Sequence, residues 1–312
     1  MQNKTTKDTK NKQQTTAPTD NSTTSSQPEN VTTKSSSHRA PFWADIVVML
    51  LLFFLTQFAG ALICNTIGIS PSLSPLTEES SQGFLEEDVS MLQSRYVACA
   101  YFFAMILCFI ALAIYGKWRG WGKIITFRTP GWAFSFRLLS AYILMWCFSI
   151  AIEPFAEMLG DGPEQLQSGG WLLVSAIFLA PLFEEVLFRG YIAGTLRKAY
   201  GAVTAWIISS ILFGVAHGIP STILTASFSG LILCYCYMRY RSLIFAIILH
   251  TLNNATACFL MSLGLGDTTA RETIANDQIY WAVYALCLSV AIIAIARMWQ
   301  EIKQLESNKY LH

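Results

Sequence analysis

The sequence predicts an all-α polytopic membrane protein with about eight transmembrane helices around a polar intramembrane cavity. Hydrophobic residues make up 53% of the 312 residues and charged residues only 13%, against about 25% charged residues in soluble domains. Several charged and polar side chains nevertheless fall inside the apolar runs, where they need partners within the protein or water. Runs long enough to cross a bilayer, about 17–25 residues, are 44–64, 96–115, 138–156, 171–194, 203–219, 221–238, 242–263 and 279–297.

The chain divides into three regions. Residues 1–41 are rich in Thr, Ser, Gln, Asn and Lys, so they cannot bury enough apolar surface to offset chain entropy, and a disordered tail is predicted. Residues 42–300 form the transmembrane domain, and residues 301–312 a short cytoplasmic C-terminal tail. The first apolar run is longer than a signal-peptide core and lacks a cleavage site, so it is interpreted as a retained anchor.

The distribution of basic residues predicts the orientation. If successive helices alternate in direction, nearly all Lys and Arg residues outside the apolar runs fall on one side of the membrane. The opposite loops contain only Arg95 and Arg271 as basic residues, together with many acidic ones. The positive-inside rule then places both termini in the cytoplasm.

Charge and cysteine content exclude several functions. The net charge of +1 argues against a nucleic-acid partner, because such proteins carry basic patches. Nearly all of the eight cysteines lie within apolar runs, which favours packing roles over a disulfide framework or a zinc site. The lipid bilayer is the partner that the composition indicates.

The fourth apolar run, "LAPLFEEVLFRGYIAG", contains Glu184, Glu185 and Arg189. Each charge at the bilayer centre costs roughly 2.5–3.5 kcal/mol, so these side chains require compensation. Residues four apart share one helix face, and Glu185 and Arg189 are therefore predicted to form an ion pair. Glu184 points about 100° away from Glu185 and is the carboxylate left for chemistry. Pro181, just before the pair, removes a helix hydrogen bond.

Two later runs carry polar residues at a similar depth. They are "LFGVAHG", with Phe213 and His217 in the fifth predicted helix, and "LHTLNN", with His250 and Asn254 in the seventh. At 1.5 Å per residue, Glu184 and Asn254 lie roughly 20 Å, His250 about 14 Å and His217 about 24 Å from the cytoplasmic ends of their helices. In a hydrocarbon core about 30 Å thick, the four side chains are predicted to meet near the middle.

Together these stretches resemble the three motifs of the CAAX protease and bacteriocin-processing (CPBP, or Abi) family of intramembrane glutamate endopeptidases. The family pattern is Glu-Glu-x-x-x-Arg, Phe-x-x-x-His and His-x-x-x-Asn, which stands here as "EEVLFR", "FGVAH" and "HTLNN" in the same order. The resemblance covers about residues 171–260. It implies hydrolysis of a peptide bond by a glutamate-activated water, without a metal ion, in a membrane-associated or prenylated protein tail or a peptide precursor.

Peptide hydrolysis needs an activated water and donors for the developing oxyanion. The expected catalytic residues are Glu184 as general base, His217 orienting the same water, and His250 with Asn254 donating to the oxyanion. Glu185, Arg189 and Phe213 are expected to support the site structurally. The resemblance also favours a bacterial cytoplasmic membrane, where the family is abundant.

Three alternatives remain open from the sequence. Glu184, His217 and His250 match the two-histidine, one-carboxylate ligand set of zinc, but no His-Glu-x-x-His segment is present, so no cofactor is expected. A non-catalytic bacteriocin-immunity or membrane scaffold protein would keep the same residues as a polar network. A proton-coupled transporter also uses Glu and His relays, although no inverted repeat is apparent in the sequence.

Overall fold

The computed structural model describes residues 43–69, 86–121, 125–126, 134–160, 170–266, 268–274 and 276–307. The predicted tail at 1–41 lies outside these residues. The helices in the described ranges are α1 (Trp43–Thr66), α2 (Glu86–Arg119), α3 (Phe134–Met158), α4 (Gly170–Tyr200), α5 (Ala202–Val215), α6 (Pro220–Tyr240), α7 (Leu243–Ser262), α8 (Ala270–Ile274) and α9 (Asp277–Ser307).

The prediction of an all-α polytopic membrane protein is confirmed. Seven of the described helices, all except α5 and α8, are long and apolar enough to cross a membrane. The protein is therefore an integral, multi-pass membrane protein. Helix α9 continues to Ser307, so the first residues of the predicted C-terminal tail are helical.

The fifth predicted helix is shorter than the sequence suggested. Helix α5 has 14 residues and ends at Val215, which makes it about 21 Å long and shorter than the hydrocarbon core. Gly218 has a φ of +77°, a left-handed conformation that stops a helix, and Pro220 then begins α6. The prediction that His217 lies within this helix was wrong, because His217 lies in the turn that follows it.

Helix α4 alternates between two helical forms. Ser175–Leu179 and Val186–Ala193 are π-helical, and the α-helical segment Ala180–Glu185 lies between them. In the first π-helical segment, the Ala180 N–H donates to the Ser175 carbonyl, five residues back. Such segments occur mostly at functional sites, and both glutamates of the first motif lie between the two π-helical segments.

Helices α1 and α2 form a hairpin that small residues hold close together. A Cβ atom added to Gly60 would lie 2.3 Å from the Ala100 carbonyl oxygen and 2.8 Å from the Ala104 Cβ. Close backbone approach at small residues stabilises helix pairs in membranes, where van der Waals packing drives association. At the N-terminal end of α1, buried Asp45 accepts hydrogen bonds from Arg119, at 2.7 and 2.8 Å, and from the Tyr115 hydroxyl, at 2.6 Å.

Close packing also brings α5 against α6. Gly214 would place a Cβ atom 2.0 Å from the Ser227 hydroxyl oxygen, and Gly230 of α6 lies against Ser210 and Phe213 of α5. The Trp206 indole N–H donates to the Leu231 carbonyl at 2.8 Å. These contacts fix α5, and therefore Phe213, in the centre of the helix bundle.

The substitution Gly60→Ala is expected to lower the unfolding midpoint in detergent. The added methyl group must push α1 away from α2, and overpacking of this kind typically costs about 1–3 kcal/mol. Gly170→Ala is the matched control, because nothing lies within 4 Å of a Cβ atom at that position. Unfolding is measured by intrinsic tryptophan fluorescence. Equal unfolding midpoints for Gly60→Ala and Gly170→Ala would show that the α1–α2 contact is not close.

Candidate active site

A buried charge pair on α4 supports the site. The Glu185 Oε1 and Arg189 Nη1 atoms are 3.1 Å apart, and both side chains are 0% exposed. This is the ion pair that the four-residue spacing predicted. None of the Arg189 side-chain nitrogens has an aligned hydrogen-bond partner among the described residues. The guanidinium charge is therefore balanced by proximity to the carboxylate and by a second contact, with an aromatic ring.

That second contact comes from Phe213 of α5. The Arg189 Cζ atom lies 4.2 Å from the centroid of the Phe213 ring, a cation–π geometry that contributes about 2 kcal/mol when it is desolvated. The same ring has edge-to-face contacts with Phe188, His217 and His250, at centroid distances of 5.3, 5.0 and 5.6 Å. Phe213 therefore joins all three motifs. The sequence marked it as supporting but did not reveal the cation–π contact.

His250 of α7 links the two glutamates. Its Nδ1 atom lies 2.9 Å from Glu185 Oε1, and its Nε2 atom lies 3.9 Å from Glu184 Oε2. An ionised carboxylate can only accept a hydrogen bond, so Nδ1 carries the proton that Glu185 accepts. The Nε2 atom is then turned toward Glu184. His250 thus binds the supporting carboxylate with one nitrogen and faces the predicted base with the other.

Glu184 is the more accessible of the two glutamates. Its side chain is 19% exposed, against 0% for Glu185. Its Oε1 atom accepts a hydrogen bond of 3.4 Å from the Tyr101 hydroxyl of α2, and its Oε2 atom faces His250. No sequence signal marks Tyr101, because this residue stands in the apolar stretch "AYFFAM" with no motif around it.

His217 is held by the end of its own helix. Its Nδ1 atom lies 2.8 Å from the Phe213 carbonyl oxygen, four residues earlier, so Nδ1 carries the proton and the Nε2 atom of the neutral ring is left as an acceptor. The Phe-x-x-x-His spacing produces this contact, because a carbonyl at the C-terminal end of a helix lacks a backbone partner. The His217 side chain is exposed, and no contact within 4 Å joins it to Glu184 in the described structure.

Asn254 of α7 binds the backbone of α4. Its Nδ2 atom donates to the Ala176 carbonyl at 2.9 Å. In the π-helical register that pairs Ala180 with Ser175, the next donor would be residue 181, but Pro181 has no N–H. The Ala176 carbonyl is therefore left for Asn254. This leaves one N–H and the carbonyl oxygen of the Asn254 amide for other partners, and its role as an oxyanion donor stays a prediction.

A separate cavity lies away from these residues. It has a volume of about 460 Å³ and lies between α3, α6, α7 and α8, with Trp146, Glu153 and Leu260 among the residues that line it. None of the motif residues lines this cavity. The motif residues instead form a packed cluster between α4, α5 and α7, which is reached at the exposed sides of Glu184 and His217.

The described Cys, His, Asp and Glu side chains are the possible ligands for a metal ion. All eight cysteines are free thiols. Within the described ranges, no group of three or more His, Cys, Asp or Glu side chains is arranged to hold a metal ion. His250 has its Nδ1 atom bonded to Glu185, which leaves only its Nε2 atom for any other partner.

Two comparisons with known proteins bear on this cluster. The family model of "Type II CAAX prenyl endopeptidase Rce1-like" proteins matches residues 166–256, the segment that contains all three motifs. A Bacillus subtilis protein named "Putative membrane peptidase YdiL" is 30% identical over 83 residues, 27% of this chain and 34% of that protein. Both matches support a resemblance of this segment to the CPBP family. The resemblance seen in the three motifs is therefore confirmed.

The matched segment covers only part of this protein. The aligned region spans about a third of the length of the Bacillus subtilis relative. No solved structure matches the chain. Helices α1–α3 precede the segment matched by the family model, and α8 and α9 follow it. The three motifs occupy α4, α5 and α7 together with the turn after α5.

Removing Arg189 is expected to destabilise the protein strongly. In Arg189→Met the Glu185 carboxylate stays buried without its cation, which typically costs about 3–5 kcal/mol. The double variant Glu185→Gln/Arg189→Met is expected to regain part of this loss, because it removes both charges. Unfolding midpoints in detergent give the comparison. If the losses of stability in Glu185→Gln and Arg189→Met simply add in the double variant, the two residues are not a coupled pair.

Asn254 and Pro181 are expected to be coupled through the Ala176 carbonyl. Asn254→Ala leaves that carbonyl without its donor, at a cost of about 1–3 kcal/mol. In the Pro181→Ala background the new backbone N–H can satisfy the carbonyl, so the same substitution is expected to cost less. A double-mutant cycle on the free energy of unfolding measures the difference. An unchanged cost in both backgrounds would rule out the shared acceptor.

Proposed function

We propose that the protein is an intramembrane endopeptidase that hydrolyses a peptide bond with a water activated by Glu184, without a metal ion. The observation that carries the proposal is the difference between the two adjacent glutamates. Glu185 is buried against Arg189 and His250, at 3.1 and 2.9 Å. Glu184 keeps an exposed side and has no cationic Arg or Lys partner in the described ranges.

Glu184 is suited to bind and deprotonate a water. Its Oε2 atom and the His250 Nε2 atom are 3.9 Å apart, just beyond hydrogen-bonding distance. A water about 2.8 Å from both atoms would have an angle of about 90° between these contacts, so both groups can hold the same molecule. The water oxygen attacks the carbonyl carbon while its proton passes to Glu184. Glu184 then gives a proton to the leaving nitrogen as the C–N bond breaks.

The remaining polar groups supply the other requirements of hydrolysis. His217 has its Nδ1 atom bonded to the Phe213 carbonyl, which leaves Nε2 to orient the water or a substrate group from the α5 side. The second N–H of the Asn254 amide is the proposed donor to the oxyanion. His250 can join it from Nε2 only as an imidazolium, because its neutral ring carries the proton on Nδ1. Such donors are worth most in a site that excludes water, which the surrounding apolar helices provide.

The substrate class follows from the surroundings and from the family. Glu184 lies in the middle of an apolar helix of 31 residues, so a substrate must reach it from the bilayer or its surface. The matching family model is described by a CAAX prenyl endopeptidase activity. We propose a membrane-associated or prenylated protein tail, or a peptide precursor, as the substrate, in a bacterial cytoplasmic membrane with both termini of the protein in the cytoplasm.

The variant Glu184→Gln is expected to lose cleavage by at least about 10²-fold, the lower end of what a general base contributes. Its unfolding midpoint is expected to stay near that of the wild type, because Glu184 is not part of the buried pair. The first measurement compares the wild type and Glu184→Gln in the hydrolysis of a quenched fluorescent, farnesylated CAAX-type peptide. The second compares the peptides that accumulate in the membranes of cells that carry either protein.

Glu157→Gln is the matched control, because Glu157 is an exposed glutamate of α3 and its loss should leave cleavage unchanged. Cleavage that persists in a folded Glu184→Gln variant would remove Glu184 as the base. Full biological complementation by that variant would favour a non-catalytic immunity or scaffold role. Loss of activity with a zinc chelator, restored by zinc, would favour the metal-dependent form of the reaction.

A further inference from the structure

Tyr101 is the only described side chain outside the three motifs that makes a hydrogen bond to Glu184. Its hydroxyl group lies 3.4 Å from Glu184 Oε1. This is long for an O–H···O hydrogen bond, but catalytic hydrogen bonds are often long before substrate binds and shorten in the complex. Tyr101 belongs to α2, and the family model begins at residue 166, so the matched segment does not contain this residue.

Aromatic packing fixes the position of the Tyr101 ring. The ring meets Phe183 edge to face, at a centroid distance of 6.2 Å. Phe183 is buried and also contacts Phe109 and Phe102 of α2, at 5.3 and 6.2 Å. Since Phe183 directly precedes Glu184, this aromatic cluster holds α2 against the turn of α4 that carries the proposed base. The Tyr101 hydroxyl is therefore directed at Glu184 by its own helix and ring contacts.

The Glu184 carboxylate is then held from two sides. Oε1 is bonded to Tyr101 of α2, and Oε2 faces His250 of α7. In the described structure Oε1 has no other hydrogen-bond donor, so loss of the Tyr101 hydroxyl would leave the carboxylate free to rotate about its terminal bond. A general base must point at the water it deprotonates, because small errors in position cost large factors in rate.

We propose that Tyr101 is a positioning residue for the hydrolysis, holding the Glu184 carboxylate in line with the water between Glu184 and His250. The inference rests on the proposed function, because it assigns a role relative to Glu184 as base. It extends the site beyond the three motifs to the α1–α2 hairpin.

The test compares Tyr101→Phe with Tyr142→Phe. Tyr142 of α3 makes a hydrogen bond of 2.6 Å to Thr256 of α7, so its variant also loses one phenol hydroxyl between two helices, but away from Glu184. Tyr101→Phe is expected to lower kcat about tenfold, the order of one hydrogen bond to a charged group, with KM nearly unchanged. Tyr142→Phe is expected to keep the wild-type kcat, because its hydroxyl bonds Thr256 and not Glu184.

A second measurement does not depend on activity. Infrared spectra of the purified protein follow the carboxylate stretching band that is present in the wild type and absent in Glu184→Gln. This band is expected to shift in Tyr101→Phe, because Glu184 loses a hydrogen-bond donor, and not in Tyr142→Phe. The measurement also decides the question if the fluorescent peptide is a poor substrate or if Tyr101→Phe reduces the yield of folded protein.

The outcomes separate this inference from the proposed function. If Glu184→Gln is inactive while Tyr101→Phe keeps the wild-type kcat and infrared carboxylate band, the role of Tyr101 is overturned and the proposed function stands. If folded Glu184→Gln remains active, Glu184 is not the base and the positioning role is overturned with it. Equal shifts in Tyr101→Phe and Tyr142→Phe would show a general effect of lost helix contacts and would also overturn the proposal.

Discussion

The fully buried carboxylate of Glu185 is the constraint on which the arrangement of the site depends. A buried charge is tolerated only when it is paired and hydrogen-bonded, and Glu185 obtains these partners from Arg189 on its own helix and from His250 of α7. Arg189 in turn lies against the ring of Phe213 of α5. Compensation of one charge pair therefore fixes three helices relative to each other, and the same contacts set the position of the remaining motif residues.

Because of this pairing, the adjacent residues Glu184 and Glu185 have different roles. Glu185 uses its position to hold Arg189 and His250, while Glu184, one residue earlier, is turned toward a less buried region beside Tyr101 and the second nitrogen of His250. His250 bonds Glu185 through Nδ1 and faces Glu184 with Nε2, because its two ring nitrogens point in opposite directions. The α1–α2 hairpin, which lies outside the matched family segment, completes the surroundings of Glu184 through the hydroxyl group of Tyr101.

Backbone hydrogen bonding imposes a second constraint on the site. Within a membrane, backbone groups must find partners inside the protein, and the π-helical turn before Pro181 leaves the Ala176 carbonyl without a backbone donor. Asn254 supplies that donor from α7, and the His217 ring similarly serves the Phe213 carbonyl at the end of α5. Asn254, expected to donate to the oxyanion, and His217, expected to orient the water, thus also complete helix hydrogen bonding.

The amino-acid sequence determined the helical membrane class, the family resemblance of its three motifs, and the pairing of Glu185 with Arg189, because these follow from hydropathy, from the motifs themselves and from spacing within one helix. It could not show that α5 ends before His217, since that end depends on how the following turn packs into the bundle. Nor could it reveal Tyr101, the cation–π contact of Phe213 or the link between Asn254 and Ala176. Each of these joins residues on different helices, and such contacts are decided only when the helices pack, since their spacing along the chain carries no periodic signal.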